Sequence, residues 1–67
     1  MPWYRVIVYL KSGVMRRGLR QNESWNIDAM YSMYLKKAND YYGSSKVKTV
    51  DVVMVPKNSD EVKRLRK

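Results

Sequence analysis

The chain has no cysteine and no histidine, only three glycines and two prolines in 67 residues, and six acidic residues against fourteen basic ones. Without cysteine there is no disulfide or thiolate metal site to hold so small a fold together. Without cysteine and histidine, the thiol nucleophile, the commonest general base and the usual zinc ligands are all missing. The acids are scattered as Glu23, Asp28, Asp40, Asp51, Asp60 and Glu61. On a helix, Asp28 and Asp40 would lie about 18 Å apart along the axis, too far to work as a carboxylate pair. Asp60 and Glu61 are adjacent and read as helix-start acids. No enzymatic activity, cofactor or metal is therefore expected. Long apolar runs are also absent, and none approaches the ~20 residues of a membrane span. The opening MPWYR lacks the charged start and apolar core of a signal peptide. A soluble, cytoplasmic protein with no membrane partner is expected.

What is present is positive charge, unevenly placed. The net charge is +8. Residues 1–20 carry +5 with no acid, residues 21–45 carry −1, and residues 46–67 carry +4. A surplus of this kind attracts polyanions at long range and says little about fold. A chain of this length makes one domain and buries only about 60% of its unfolded surface, so oligomerisation is the remaining common route to stability.

The chain is organised around the segment YRVIVYLKSGVMRRGLR, Tyr4 to Arg20. Its first half alternates, with Val6, Val8 and Leu10 on one side and Trp3, Arg5, Ile7 and Tyr9 on the other, the period of a strand. Ser12-Gly13 reads as a two-residue hairpin turn. That turn pairs Leu10 with Met15, Val8 with Arg17 and Val6 with Leu19, placing Met15 and Leu19 on the apolar side. On the other side Tyr9 meets Arg16 and Arg5 meets Arg20. Arg17 is then the misfit on the core face, reaching water along its aliphatic stem.

Beyond a polar stretch, Ile27, Met30, Tyr31, Tyr34, Leu35, Ala38 and Tyr42 recur at three- and four-residue steps, the stripe of an amphipathic helix. Asn26 is placed to cap it, Asp28 suits its first turn, and Gly43 suits its end. Trp25 is read as stapling the preceding loop to the core, and Tyr41 and Tyr42 as packing beneath the Gly43 cap. KVKTVDVVMVP is a strand rich in β-branched residues, stopped by Pro56. Within it, Val50, Val52 and Met54 face the helix, while Val47, Thr49, Asp51, Val53 and Val55 face away. The expectation is an α+β fold of order β-β-α-β: a three-stranded antiparallel sheet, spatial order 2-1-3, with one helix on one face. Residues 1–57 form the domain. Residues 58–67 form a basic tail, either a short helix started at Ser59 or disordered.

One helix covers one face only. The other face would then show Trp3, Arg5, Ile7, Tyr9, Arg16, Arg20, Val47, Thr49, Asp51, Val53 and Val55. Two functions suit that inventory. Arg5, Arg16, Arg17 and Arg20, with Lys63, Arg64, Arg66 and Lys67 of the tail, would neutralise nucleic-acid phosphates, and Trp3 and Tyr9 would stack on bases. Alternatively, Ile7, Val47, Val53 and Val55 would form a protein interface, most simply a homodimer packed sheet to sheet, or a contact for another protein. Nucleic-acid binding is the leading expectation, whether to DNA or to RNA.

Overall fold

The structure, a computed structural model, describes residues 1–65. Along the chain lie β1 (Trp3–Leu10), β2 (Met15–Gln21), α1 (Ile27–Tyr42), β3 (Val47–Val55) and α2 (Asp60–Leu65). The strands make one antiparallel sheet in the order β2-β1-β3. The α+β class and the strand order are those expected from the sequence, and the short C-terminal helix is one of the two alternatives given for residues 58–67.

Helix α1 begins and ends where its capping residues require. The Asn26 Oδ1 accepts from the backbone N–H groups of Asp28 at 3.1 Å and Ala29 at 3.2 Å, satisfying two donors the first turn leaves free. At the other end Gly43 has φ +97°, and its N–H donates to the Asn39 carbonyl at 2.9 Å. Met30, Tyr34 and Ala38 are the buried stripe, and they pack with Tyr4, Val6, Val47, Val50 and Val52 into one cluster. Burying each aliphatic side chain of this kind contributes about 1.5–3 kcal/mol. Two residues expected in that stripe, Ile27 and Tyr31, are exposed instead.

The hairpin departs from the expected register by one residue. Tyr9 pairs with Met15, Val8 with Arg16, Val6 with Gly18 and Tyr4 with Arg20. The loop holds three residues, Lys11, Ser12 and Gly13. The Gly13 N–H donates to the Leu10 carbonyl and the Leu10 N–H to the Val14 carbonyl, both at 2.9 Å. Gly13 has φ +94°, and no other type of residue has positive φ among the described residues. That explains the outcome. A two-residue turn needs positive φ at its first central position, which would be Ser12; a type I turn followed by a glycine bulge needs it only at Gly13.

Because strand side chains have a period of two, the one-residue difference turns every β2 side chain to the opposite face. Arg16, Gly18 and Arg20 share the α1 side with Val8, Val6 and Tyr4. Met15, Arg17 and Leu19 share the far side with Tyr9, Ile7 and Arg5. Met15 is thus exposed rather than core, and Arg17 leaves the core face.

A second irregularity lies in β3. Tyr9 pairs with Thr49 but Leu10 pairs with Val47, so Lys48 is bulged out. The extra residue reverses the alternation. Val47, expected on the far face with Val53 and Val55, is buried in the α1-side cluster instead.

The far face is not open. Helix α2 lies against it, with Val62 fully buried and an ion pair from Arg5 Nη1 to Glu61 Oε1 at 2.8 Å. Val55 is buried as well, outside the α1-side cluster. Ser59 caps α2, its Oγ accepting from the Val62 N–H at 3.4 Å, and Asp60 and Glu61 occupy the first turn. The segment read as a tail therefore contributes a docked element.

Candidate nucleic-acid interface

Helix α1 lies over β1 and β3 and leaves the α1 side of β2 uncovered. The result is a groove of about 580 Å³ between β2 and α1. Val6, Val8, Gly18 and Ala38 provide apolar or small surface at its base. Arg16 and Arg20 come from β2, and Tyr34, Lys37, Tyr41 and Tyr42 from α1. Arg17, alternate to its neighbours, borders the groove from the sheet edge. It also borders a shallower depression of about 170 Å³ on the far side with Leu19, Glu61 and Arg64. The large groove therefore has the cations Arg16, Arg20 and Lys37 on its own side, Arg17 at its edge, and no carboxylate among its lining residues.

Several contacts fix this geometry. Arg20 Nη1 donates to the Leu19 carbonyl at 2.9 Å, which folds the guanidinium back over Gly18. A Cβ at position 18 would lie 3.1 Å from Arg20 Nη1. Gly18 has an ordinary strand conformation, so its contribution here is room rather than backbone freedom. The Lys37 ammonium sits 5.8 Å from the centre of the Tyr34 ring, within cation–π range. Tyr41 and Tyr42 meet edge to face, ring centres 4.8 Å apart and planes at 81°. Tyr41 is 81% exposed, so it does not pack beneath the Gly43 cap. Burial pushes the Tyr34 phenol above its usual range, with Arg20's charge opposing and Tyr4 adding to the shift. Tyr34 therefore stays neutral at physiological pH and does not repel an anion.

The residues singled out from the sequence do not form one constellation. Arg16 and Arg20 lie in the groove, with Arg17 at its edge. Arg5 is on the far face, bound to Glu61. Trp3 and Tyr9 are also on the far face and half-buried. The Trp3 indole nitrogen is buried without a hydrogen-bond partner among the described residues. Lys63 and Arg64 are exposed on α2, and Arg66 and Lys67 lie outside the described residues. Ile7 and Val53 are half-buried on the far face, whereas Val55 and Val47 are buried.

Lys37, Tyr34 and Tyr41 were missed as site residues. Their three- and four-residue spacing marks them as one flank of a helix. Nothing in the sequence says which strand that flank meets.

Trp25 is 68% exposed, so it does not staple its loop to the core. That loop is held by Tyr4, whose hydroxyl donates to the Ser24 carbonyl at 2.6 Å. The Asn22 side chain also accepts from the Ser24 N–H at 3.0 Å. Among the described residues there is no group of three or more side chains suited to hold a metal. No helix there is long and apolar enough to cross a membrane.

Comparison of the chain with protein-family models, curated proteins and solved structures finds no match.

Proposed function

We propose that this protein binds nucleic acid, with Arg16, Arg17, Arg20 and Lys37 along the groove between β2 and α1 taking the phosphates. The observation that carries this reading is the lining of the groove, four cations with no acid among them. On the far face, by contrast, Glu61 offsets Arg5. Arg64 on α2 lies near Arg17 and Leu19 of β2, and with Lys63 on the same helix, and Arg66 and Lys67 next in the sequence, it suits a longer polyanion.

Neutralising four phosphates releases counterions, so log K should fall with log [salt] with a slope of about −3 to −4. The test is fluorescence anisotropy of a labelled oligonucleotide over a salt series, for the native chain and for Arg16→Glu/Arg20→Glu. The double variant should bind at least ten-fold more weakly, with a shallower salt slope and an unchanged helix signal in circular dichroism. Equal affinity in the two proteins would rule out the groove.

A second reading concerns the other edge of the sheet. Strand β3 is a nine-residue edge with no internal proline, and only Lys48 and Asp51 put charge on it. Met54 on this strand is exposed, as are Ile27 and Tyr31 on α1. An open edge of this length favours pairing with another strand. Self-association through β3 replaces the sheet-to-sheet dimer expected from the sequence, because α2 occupies part of that face.

A further inference from the structure

We infer that the groove receives an unpaired base, so that the nucleic acid bound there is single-stranded. This rests on the reading of the groove as a phosphate-binding site and adds what lies beneath the phosphates.

A surface that only neutralises phosphates needs cations on a flat or convex face. Here the cations form a rim, and below it is a recess of about 580 Å³ with a base of Val6, Val8, Gly18 and Ala38. That volume falls within the range of about 300–1,000 Å³ that accommodates small organic ligands. Ala38 on α1 adds little bulk at that base, and the space over Gly18 on β2 holds the Arg20 guanidinium. A side chain at position 18 would intrude on the space now held by the Arg20 guanidinium.

A duplex cannot use such a recess. It presents phosphates and groove edges, while the faces of its bases are hidden in the stack. An unpaired base presents a flat apolar face and a polar edge, and both have counterparts here. The Tyr41 ring is 81% exposed yet steadied edge-on by Tyr42, which leaves ring surface open for stacking. The planar guanidinium of Arg20, folded back over Gly18 on the β2 side of the groove, is another surface on which a base can stack. Arg16 and Arg20 are four residues apart on a strand, about 13 Å at 3.3 Å per residue. They can therefore hold the backbone on both sides of an inserted nucleotide.

The experiment measures affinity for four labelled probes of equal length at low salt. They are single-stranded DNA, single-stranded RNA of the same sequence, the DNA duplex, and a DNA strand whose residues are abasic. The inference expects at least one single strand to bind roughly ten-fold more tightly than both the duplex and the abasic strand. Tyr41→Ala, a change at an exposed position, should remove most of that advantage, and so should Gly18→Leu, which fills the recess. If the duplex or the abasic strand binds as tightly as both single strands, the base site is overturned while the phosphate reading stands. If Tyr41→Ala leaves the advantage intact, the base site is likewise overturned. If no probe binds at low salt, the nucleic-acid reading falls and the inference with it.

Discussion

Tyr4 shows how much one side chain organises in a chain this small. It is fully buried on the α1 side of β1, and its hydroxyl donates to the Ser24 carbonyl at 2.6 Å. One residue thus fills the core and fixes the loop that delivers the chain into α1. Tyr4→Phe keeps the ring and removes the bond. A hydrogen bond of this kind contributes about 1 kcal/mol, which in a domain of this size corresponds to roughly 4–8 °C in Tm. Thermal unfolding of Tyr4→Phe should show a loss of that order; an unchanged Tm would mean that the loop is held without it. Tyr4 continues the alternation of Val6 and Val8, although the core face expected from the sequence did not include it. Its partner was not legible, because a backbone carbonyl twenty residues away leaves no mark in a pattern of side chains. The same holds for Trp25, whose large apolar ring suggests burial while the loop's hydrogen bonds leave it outside.

Among the elements, α2 changes the reading of the molecule most. It has only six residues, too few to persist alone in water, so its stability comes from docking. Val62 is its anchor. Val62→Ala removes two buried methyl groups, about 1.5 kcal/mol at ~0.8 kcal/mol each. Glu61→Gln should have the smaller effect, below about 1 kcal/mol, because both partners of the Arg5–Glu61 pair are roughly a third exposed and solvent screens them. Urea unfolding of the two variants checks this order. No effect of Val62→Ala would show that α2 does not dock in solution. Ser59 and the two following acids marked a candidate helix start in the sequence, with disorder as the alternative. The docking place was not legible, since two apolar residues three apart, Val62 and Leu65, do not say which surface a helix would meet, and Arg5 lies at the other end of the chain. Strand β2 has the opposite history: its position was legible and its facing was not, because one residue of loop length decides it.

At the scale of the whole molecule, the two edges of the sheet differ in kind. The β2 edge carries Arg16, Arg17 and Arg20, which deter pairing with another strand and attract anions. The β3 edge is mostly β-branched and apolar. Under the two proposals the edges accordingly have different roles, one for a polyanion and the other for a second copy. Light scattering over a concentration series should show a mass rising from 8.0 kDa toward twice that value. Met54→Lys, which places charge on the β3 edge, should hold the chain at the lower mass. A mass that stays at 8.0 kDa at every concentration would exclude self-association through β3.

The sequence by itself determined the α+β class, the 2-1-3 strand order, both ends of α1 and the surplus of positive charge. These follow from local signals: alternation, helical spacing, the Asn26 and Gly43 caps, and a plain count of side chains. Tertiary structure decided which arginines stand together. In a strand, facing inverts with every residue, so the three-residue loop ending in Gly13 moved Arg16 and Arg20 to the side of α1 and Arg17 to the far side, where Arg5 lies. The placing of α1 over β1 and β3 then opened the groove. That placing follows from where the buried clusters meet in three dimensions, and no short-range pattern in the sequence encodes it.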